Sequence, residues 1–181
     1  MPPVIFYTFG YPGAGKSTFS RQLAVELGFT HLWADKTGFQ LFRLPDFSIQ
    51  QVHAVRSALD LEARAALKQS TTVIYDAMTS TDEERQRLIR IAKAYQTTAI
   101  GIWIETPEAV ARQRSNTIRT DEFATNYQRY IPNKVFDRHV ESFSLSTDDD
   151  TIIKVSGLVP FTDQLVSFQA QLSAIRSALD S

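Results

Sequence analysis

The sequence predicts an α/β fold built on a parallel sheet, and three observations carry that reading. Short apolar runs alternate with longer helix-patterned segments along the 181 residues, which is the spacing of βαβ units with right-handed crossovers. The first apolar run passes directly into a glycine-rich loop and then a helix pattern. Two later runs lead into aspartate, bringing carboxylates to the carboxyl edge of the sheet, where open α/β folds take their ligands. The length fits one domain, residues 1–181, with a substantial core.

Val4 to Phe9 is continuously apolar or aromatic apart from Thr8, as expected of a strand covered on both faces. Gly10 to Ser17 is the glycine-rich turn, and Phe19 to Leu27 reads as a helix stopped by Gly28. Thr30 to Ala34 predicts a second strand ending at Asp35. Ser48 to Gln69 predicts a helix with Val52, Val55, Leu59, Ala66 and Leu67 on its apolar line and Leu61 and Ala63 off it. Thr72 to Tyr75 is a third strand leading into Asp76. Ser80 or Thr81 then caps a helix, with Glu83 or Glu84 at the box position and Leu88 and Ile91 facing inward. Thr97 to Ile104 is a fourth strand, and Thr106-Pro107 supplies a cap and an N1 proline for the helix after it. Ser144 to Asp150 reads as a solvated loop before a fifth strand, Thr151 to Val155. Thr162 is expected to cap a last helix, about 162–180. Its Leu165, Phe168, Leu172, Ile175 and Leu179 follow heptad spacing, and docking on the chain's own sheet is preferred to a dimer seam.

Composition excludes several functions. The formal net charge of -1 provides no global basic field, so nucleic acid would need a local patch. With 0 cysteines there is no disulfide, thiolate metal site or cysteine nucleophile. The apolar start is too short and too uncharged for a signal peptide, and no apolar run reaches membrane-spanning length. A cytoplasmic protein with no membrane contact is expected.

Gly10-Tyr11-Pro12-Gly13-Ala14-Gly15-Lys16-Ser17 matches G-x-x-x-x-G-K-[ST] in full. Its glycines let the backbone turn its N–H groups inward around phosphate oxygens, and the helix that starts there adds its positive end. Lys16 offers a mobile cation for β- and γ-phosphates, and the Ser17 hydroxyl can ligate Mg²⁺. Residues Gly10 to Thr18 are therefore expected to bind ATP.

This loop, the aspartates after the second and third strands and a later arginine-bearing segment resemble the polynucleotide-kinase-like P-loop kinases. The zeta-toxin-like and chloramphenicol-phosphotransferase-like kinases, small ATP-binding enzymes of AAA type, are near relatives. The resemblance covers roughly the first two-thirds of the chain. It implies a three-layer P-loop fold with nucleoside-monophosphate-kinase-like strand order, and transfer of the γ-phosphate of ATP to an acceptor hydroxyl. Asp35 would take the proton of that hydroxyl. Asp76 would hold Mg²⁺, directly or through water, or contact the acceptor. Arg112 would act catalytically and on ATP from a lid at about 112–130, with Arg114 and Arg119 as further lid or substrate residues.

Two departures lie on the acceptor side. The polynucleotide kinases place an arginine three residues beyond the base, where this chain has Gly38, so Arg43 would have to serve. Their asparagine two residues past the second aspartate is Met78 here. A small-molecule acceptor, namely a nucleoside, sugar, antibiotic or nucleotide-sugar, is the alternative to a polynucleotide, and a nucleotide-dependent switch without an acceptor is a third reading. Arg85, Arg87, Arg90 and Lys93 give one helix a basic side, read as solvated surface before nucleic-acid contact. His31, His53 and His139 show no metal-ligand spacing and are assigned to core or surface. Trp33 and Trp103 are assigned to the core, with Trp33 close enough to Asp35 to wall a substrate pocket.

Overall fold

The computed structural model describes residues 2–43, 45, 48–117, 119–120, 128–129, 131–143 and 151–179. Strand β1 (Val4–Phe9) runs into the glycine loop and helix α1 (Lys16–Leu27). Strand β2 (Thr30–Trp33) then passes directly into α2 (Ala34–Leu41), followed by α3 (Ile49–Lys68), β3 (Val73–Asp76), α4 (Asp82–Ala94) and β4 (Thr98–Glu105). After α5 (Glu108–Ser115) come the short β5 (Arg119–Thr120) and β6 (Gln128–Arg129), then α6 (Asn133–Ser142), β7 (Ile152–Ser156) and α7 (Phe161–Leu179).

The main sheet has five strands in the order β2-β3-β1-β4-β7, all parallel, with the loop-bearing strand in the centre. Both the parallel sheet and the strand order agree with expectation. A second, two-stranded antiparallel pair joins β5 to β6. Parallel pairing sends every strand's carboxyl end to one edge, which is what assembles the site below.

Alternation along β1 divides the core in two. Ile5, Tyr7 and Phe9 pack with Leu59, Ala63, Leu67 and Leu88 from α3 and α4 on one face. Phe6 packs with Phe19 and Leu23 of α1 and Phe168 and Leu172 of α7 on the other. α7 thus docks on the sheet of its own chain, as expected. Among the described residues no helix is long and apolar enough to cross a membrane.

Helix signals were legible where side chains cap. Thr81 accepts from the Glu84 N–H while the Glu84 carboxylate accepts from the Thr81 N–H, a complete capping box. Ser48 caps α3, and Gly28 ends α1 in the left-handed region at φ 69.

Elsewhere the structure corrects the expectation. Residues 34–41 continue from β2 as helix, so Asp35 sits in a first helical turn and not at a strand end. Ala63 lies on the buried face of α3, because 59, 63 and 67 step by four along it, and Val52 is exposed. Thr106 does not cap α5: its hydroxyl donates to the Ala14 carbonyl at 2.9 Å, and Pro107 stands at the N-cap. Thr162 lies inside α7, whose first turn closes on the Pro160 carbonyl. Two of the four basic residues of α4, Arg85 and Arg87, are turned inward, while Arg90 and Lys93 are exposed. Arg85 is fully buried over the Phe9 ring and donates to the Thr79 and Ser80 carbonyls. Arg87 pairs with Asp60 and the Tyr75 hydroxyl.

Candidate active site

The glycine loop closes between β1 and α1 with three glycines in left-handed backbone: Gly10 at φ 138, Gly13 at φ 79 and Gly15 at φ 107. Two of them also lack room for a side chain. A Cβ on Gly10 would lie 2.7 Å from the Ile104 carbonyl oxygen, and one on Gly13 would lie 2.2 Å from that of Ala111. The loop is therefore wedged against the end of β4 and the backbone of α5, which holds its cradle in shape. The Ala14 N–H donates to the Tyr11 carbonyl at 3.0 Å to complete the turn.

Lys16 folds back over this turn, its ammonium donating to the carbonyls of Gly10 at 3.0 Å and Tyr11 at 2.9 Å. On the next residue the Ser17 hydroxyl donates to Asp76 Oδ1 at 3.2 Å. Asp76 is the last residue of β3, adjacent to β1, and its side chain is only 3% exposed. Its other oxygen, Oδ2, lies 3.1 Å from His31 Nε2. Beyond Asp76 the chain is held by Thr79, whose hydroxyl donates to the Thr8 carbonyl at 2.7 Å, and by Arg85 beneath it.

Asp35 is half-buried in the first turn of α2, beyond the end of β2 and so above the same sheet edge. Trp33, in register with Asp76 across β2 and β3, stands between it and His31 in sequence. Arg43 is exposed just after α2.

The arginines of α5 are placed differently from one another. Arg114 borders both hollows beside the loop: one lined with Pro12, Gly13, Gly15 and Lys16 to Thr18, the other with Gln22, Gly157, Val159, Phe161 and Gln164. Its guanidinium donates to the Gly157 carbonyl at 2.8 Å. Arg112 lines neither hollow. It is forked between Glu108 and Asp137 and lies 4.3 Å from the Phe136 ring centre. The Glu108 and Asp137 carboxylates raise its pKa above the ordinary guanidinium value. Arg119 is on β5, opposite Arg129. Of the lid expected at about 112–130, residues 118, 121–127 and 130 lie outside the described residues.

The residues at the loop fit Mg²⁺. Ser17 Oγ and Asp76 Oδ1 are hard oxygen donors brought together beside the cradle, and Mg²⁺ usually takes one or two such protein ligands and completes its shell with phosphate and water. A dedicated cage is not required for that ion, and among the described residues no cluster of three or more His, Asp or Glu converges.

His31 and Arg85 are the site residues that sequence reasoning assigned elsewhere. A polar His31 two positions before Trp33, hence on the same face of a short strand leading into a carboxylate, was the available signal. Nothing in the spacing of Arg85 separates it from its solvated neighbours on α4.

A gluconokinase from Sinorhizobium meliloti 1021 superposes with a TM-score of 0.69 at 16% identity, over 98% of this chain and 95% of that one. The APS kinase CysC of Mycobacterium tuberculosis, solved with AMPPNP and APS, superposes at 0.63 and 15% identity, over 94% and 97% of the two chains. The Pnkp1/Rnl/Hen1 RNA repair complex contains a chain matching at 0.63 and 23% identity, over 77% of this chain and 43% of that one. At these identities the likeness is one of fold, the P-loop kinase fold. None of the curated proteins matches the sequence. The model of an AAA domain family, however, matches residues 5–145, well over half of the chain, and the protein belongs to that family.

Proposed function

We propose that the protein is a kinase that moves the γ-phosphoryl group of ATP to a hydroxyl of a small-molecule acceptor. The observation carrying this reading is the Ser17–Asp76 hydrogen bond of 3.2 Å at the foot of the phosphate loop. It joins the loop to the carboxylate-bearing end of β3, on the edge where Asp35 also stands in the first turn of α2.

In this reading the loop N–H groups from Gly10 to Thr18 and the Lys16 ammonium hold the β- and γ-phosphates. Lys16 exchanges the Gly10 and Tyr11 carbonyls for phosphate oxygens. Ser17 and Asp76 hold Mg²⁺, which when bound neutralises charge between the β- and γ-phosphates. Asp35 accepts the acceptor's proton as its oxygen attacks the γ-phosphorus in line. The bond to the β-phosphate oxygen breaks, and ADP leaves with the electron pair. Arg114 is already at the cradle wall. Arg112 would join it by leaving Glu108 and Asp137, as part of the lid, and Arg119 would follow on β5.

A small acceptor is favoured over a polynucleotide for two reasons. Arg85 is buried and Arg87 is paired with Asp60, which leaves Arg90 and Lys93 exposed on α4, a smaller basic side than the four cations offer to a phosphate chain. Gly38 occupies the position where an arginine would meet a substrate phosphate, and the cations of this stretch are Lys36 and Arg43. The gluconokinase and APS kinase likeness spans nearly the whole of those chains, which supports the same choice.

The test is transfer of label from [γ-³²P]ATP to panels of sugars, nucleosides and 5′-hydroxyl oligonucleotides, with wild type and Asp35→Asn. Transfer to a small hydroxyl compound is expected. It should fall by about 10²–10⁴ in Asp35→Asn, the usual worth of a general base, with ATP affinity unchanged. Label reaching only the oligonucleotide, or wild-type transfer by Asp35→Asn, would refute the acceptor class or the base respectively.

A further inference from the structure

We infer that His31 is a positioning residue for the metal-side carboxylate, locking Asp76 so that Oδ1 is presented to Ser17 and to a divalent cation. The inference rests on the reading of Ser17 and Asp76 given above and names a residue outside the loop that the same site requires.

Asp76 is 3% exposed, so its charge is almost cut off from water and must be met by hydrogen-bond donors. Two are in place. Ser17 donates to Oδ1 at 3.2 Å, and His31 Nε2 lies 3.1 Å from Oδ2. An ionised carboxylate only accepts, so the imidazole nitrogen facing it carries the hydrogen. Held at both oxygens, the carboxylate group has one orientation, and that orientation turns Oδ1 toward the phosphate loop.

The two donors differ in what a cation would do to them. Ser17 Oγ and Asp76 Oδ1 would be the atoms that hold the cation. The His31 nitrogen faces the opposite oxygen and would remain with the carboxylate. A donor that hydrogen-bonds a metal-binding carboxylate orients it and tunes its basicity.

His31 is itself held in place. Its ring stacks on Trp33 at 5.9 Å between centroids and 7° between planes. Both project from the same face of β2, and β2 is registered against β3 with Trp33 opposite Asp76. A filler of the core would be replaceable by any ring of that size. A positioning residue is not, because the N–H is what Asp76 receives.

The experiment uses His31→Phe, which keeps a ring on Trp33 but removes the N–H, and His31→Gln, which restores a donor. ATP affinity is measured by calorimetry in EDTA and in Mn²⁺, and Mn²⁺ binding to the protein–ATP complex is followed by electron paramagnetic resonance. His31→Phe should weaken affinity in Mn²⁺ about 10–100-fold, the range for lost outer-shell partners, and leave affinity in EDTA within about twofold. His31→Gln should regain most of the loss. Equal weakening in EDTA and Mn²⁺, or no recovery in His31→Gln, would mean a purely structural role and overturn the inference. Asp76→Asn separates the two readings. If Asp76→Asn loses the metal-dependent gain while His31→Phe keeps it, only the role of His31 falls. If Asp76→Asn keeps that gain, the assignment of Asp76 falls first.

Discussion

Ser17, in the first turn of α1, and Asp76, at the end of β3, meet in a 3.2 Å hydrogen bond across 59 residues of sequence. Because β1 and β3 are parallel neighbours, the loop after one and the carboxyl end of the other necessarily reach the same edge. Under the proposed function the pair would give the glycine loop a place for a divalent cation, and the expectations below follow from its surroundings.

Lys16→Ala should weaken ATP binding at least about 100-fold, since hydrogen bonds from a charged donor contribute about 1.5–3 kcal/mol each. The fold should survive, because the ammonium bonds to the Gly10 and Tyr11 carbonyls of its own loop, not to a core element. Calorimetric titration beside a thermal melt checks both halves. A melt lowered as far as that of a core variant would contradict the second.

Arg114→Ala should reduce nucleotide affinity, because Arg114 walls both hollows and bonds the Gly157 carbonyl. Arg112→Ala should leave ground-state affinity within about threefold and act on turnover, since Arg112 is occupied by Glu108 and Asp137 away from the hollows. Separate measurement of Kd and kcat for the two variants distinguishes them. The reverse pattern would return the binding role to Arg112.

Two glycines in the same backbone region should respond differently to alanine. Gly13→Ala drives a Cβ to 2.2 Å from the Ala111 carbonyl oxygen and must push the loop off α5, abolishing nucleotide binding. Gly28→Ala meets nothing within 4 Å and carries only the left-handed backbone penalty at φ 69, about 1–2 kcal/mol. Denaturant melts and nucleotide titration of both variants provide the comparison.

The buried Tyr75 hydroxyl donates to Asp60 Oδ1 at 2.8 Å and accepts from Arg87. Burial raises its pKa far above the ordinary value; Arg87 opposes the rise and Asp60 adds to it. Above about pH 10 an unfolded tyrosine releases its proton while the folded one retains it. The unfolded state then binds fewer protons, so stability falls with rising pH by about 1.4 kcal/mol per unit. Tyr75→Phe should lose about 1 kcal/mol at pH 8, the usual net worth of a hydrogen bond, and show a shallower alkaline decline. Urea melts at pH 8 and pH 10.5 test this. Parallel slopes in wild type and variant would remove Tyr75 as the source.

The neighbourhood of Asp35 shows how far local reading extends. Leu32, Trp33 and Ala34 read as one apolar run, yet the strand stops at Trp33 and a helix begins at Ala34. Apolar residues in a short window serve a buried strand or a buried helical turn equally well, and length decides only when packing is known. Thr106 illustrates the same limit. Threonine before proline has the chemistry of a cap, but the Ala14 carbonyl 92 residues away takes its hydroxyl instead.

What the chain announces unaided is local: glycines where the backbone must turn left-handed, a lysine and serine at a helix start, a capping box, and strands alternating with helices. From these the fold class, the central phosphate loop and the carboxylate at the end of β3 could all be written down, because backbone sterics and capping chemistry act over a few residues. Only folding decides which partners distant groups find. It turned Arg85 inward, set Arg114 and not Arg112 against the loop, and carried His31 to Asp76. Those outcomes depend on strand order and on what each buried charge can reach once water is excluded, and no periodicity in the sequence records either.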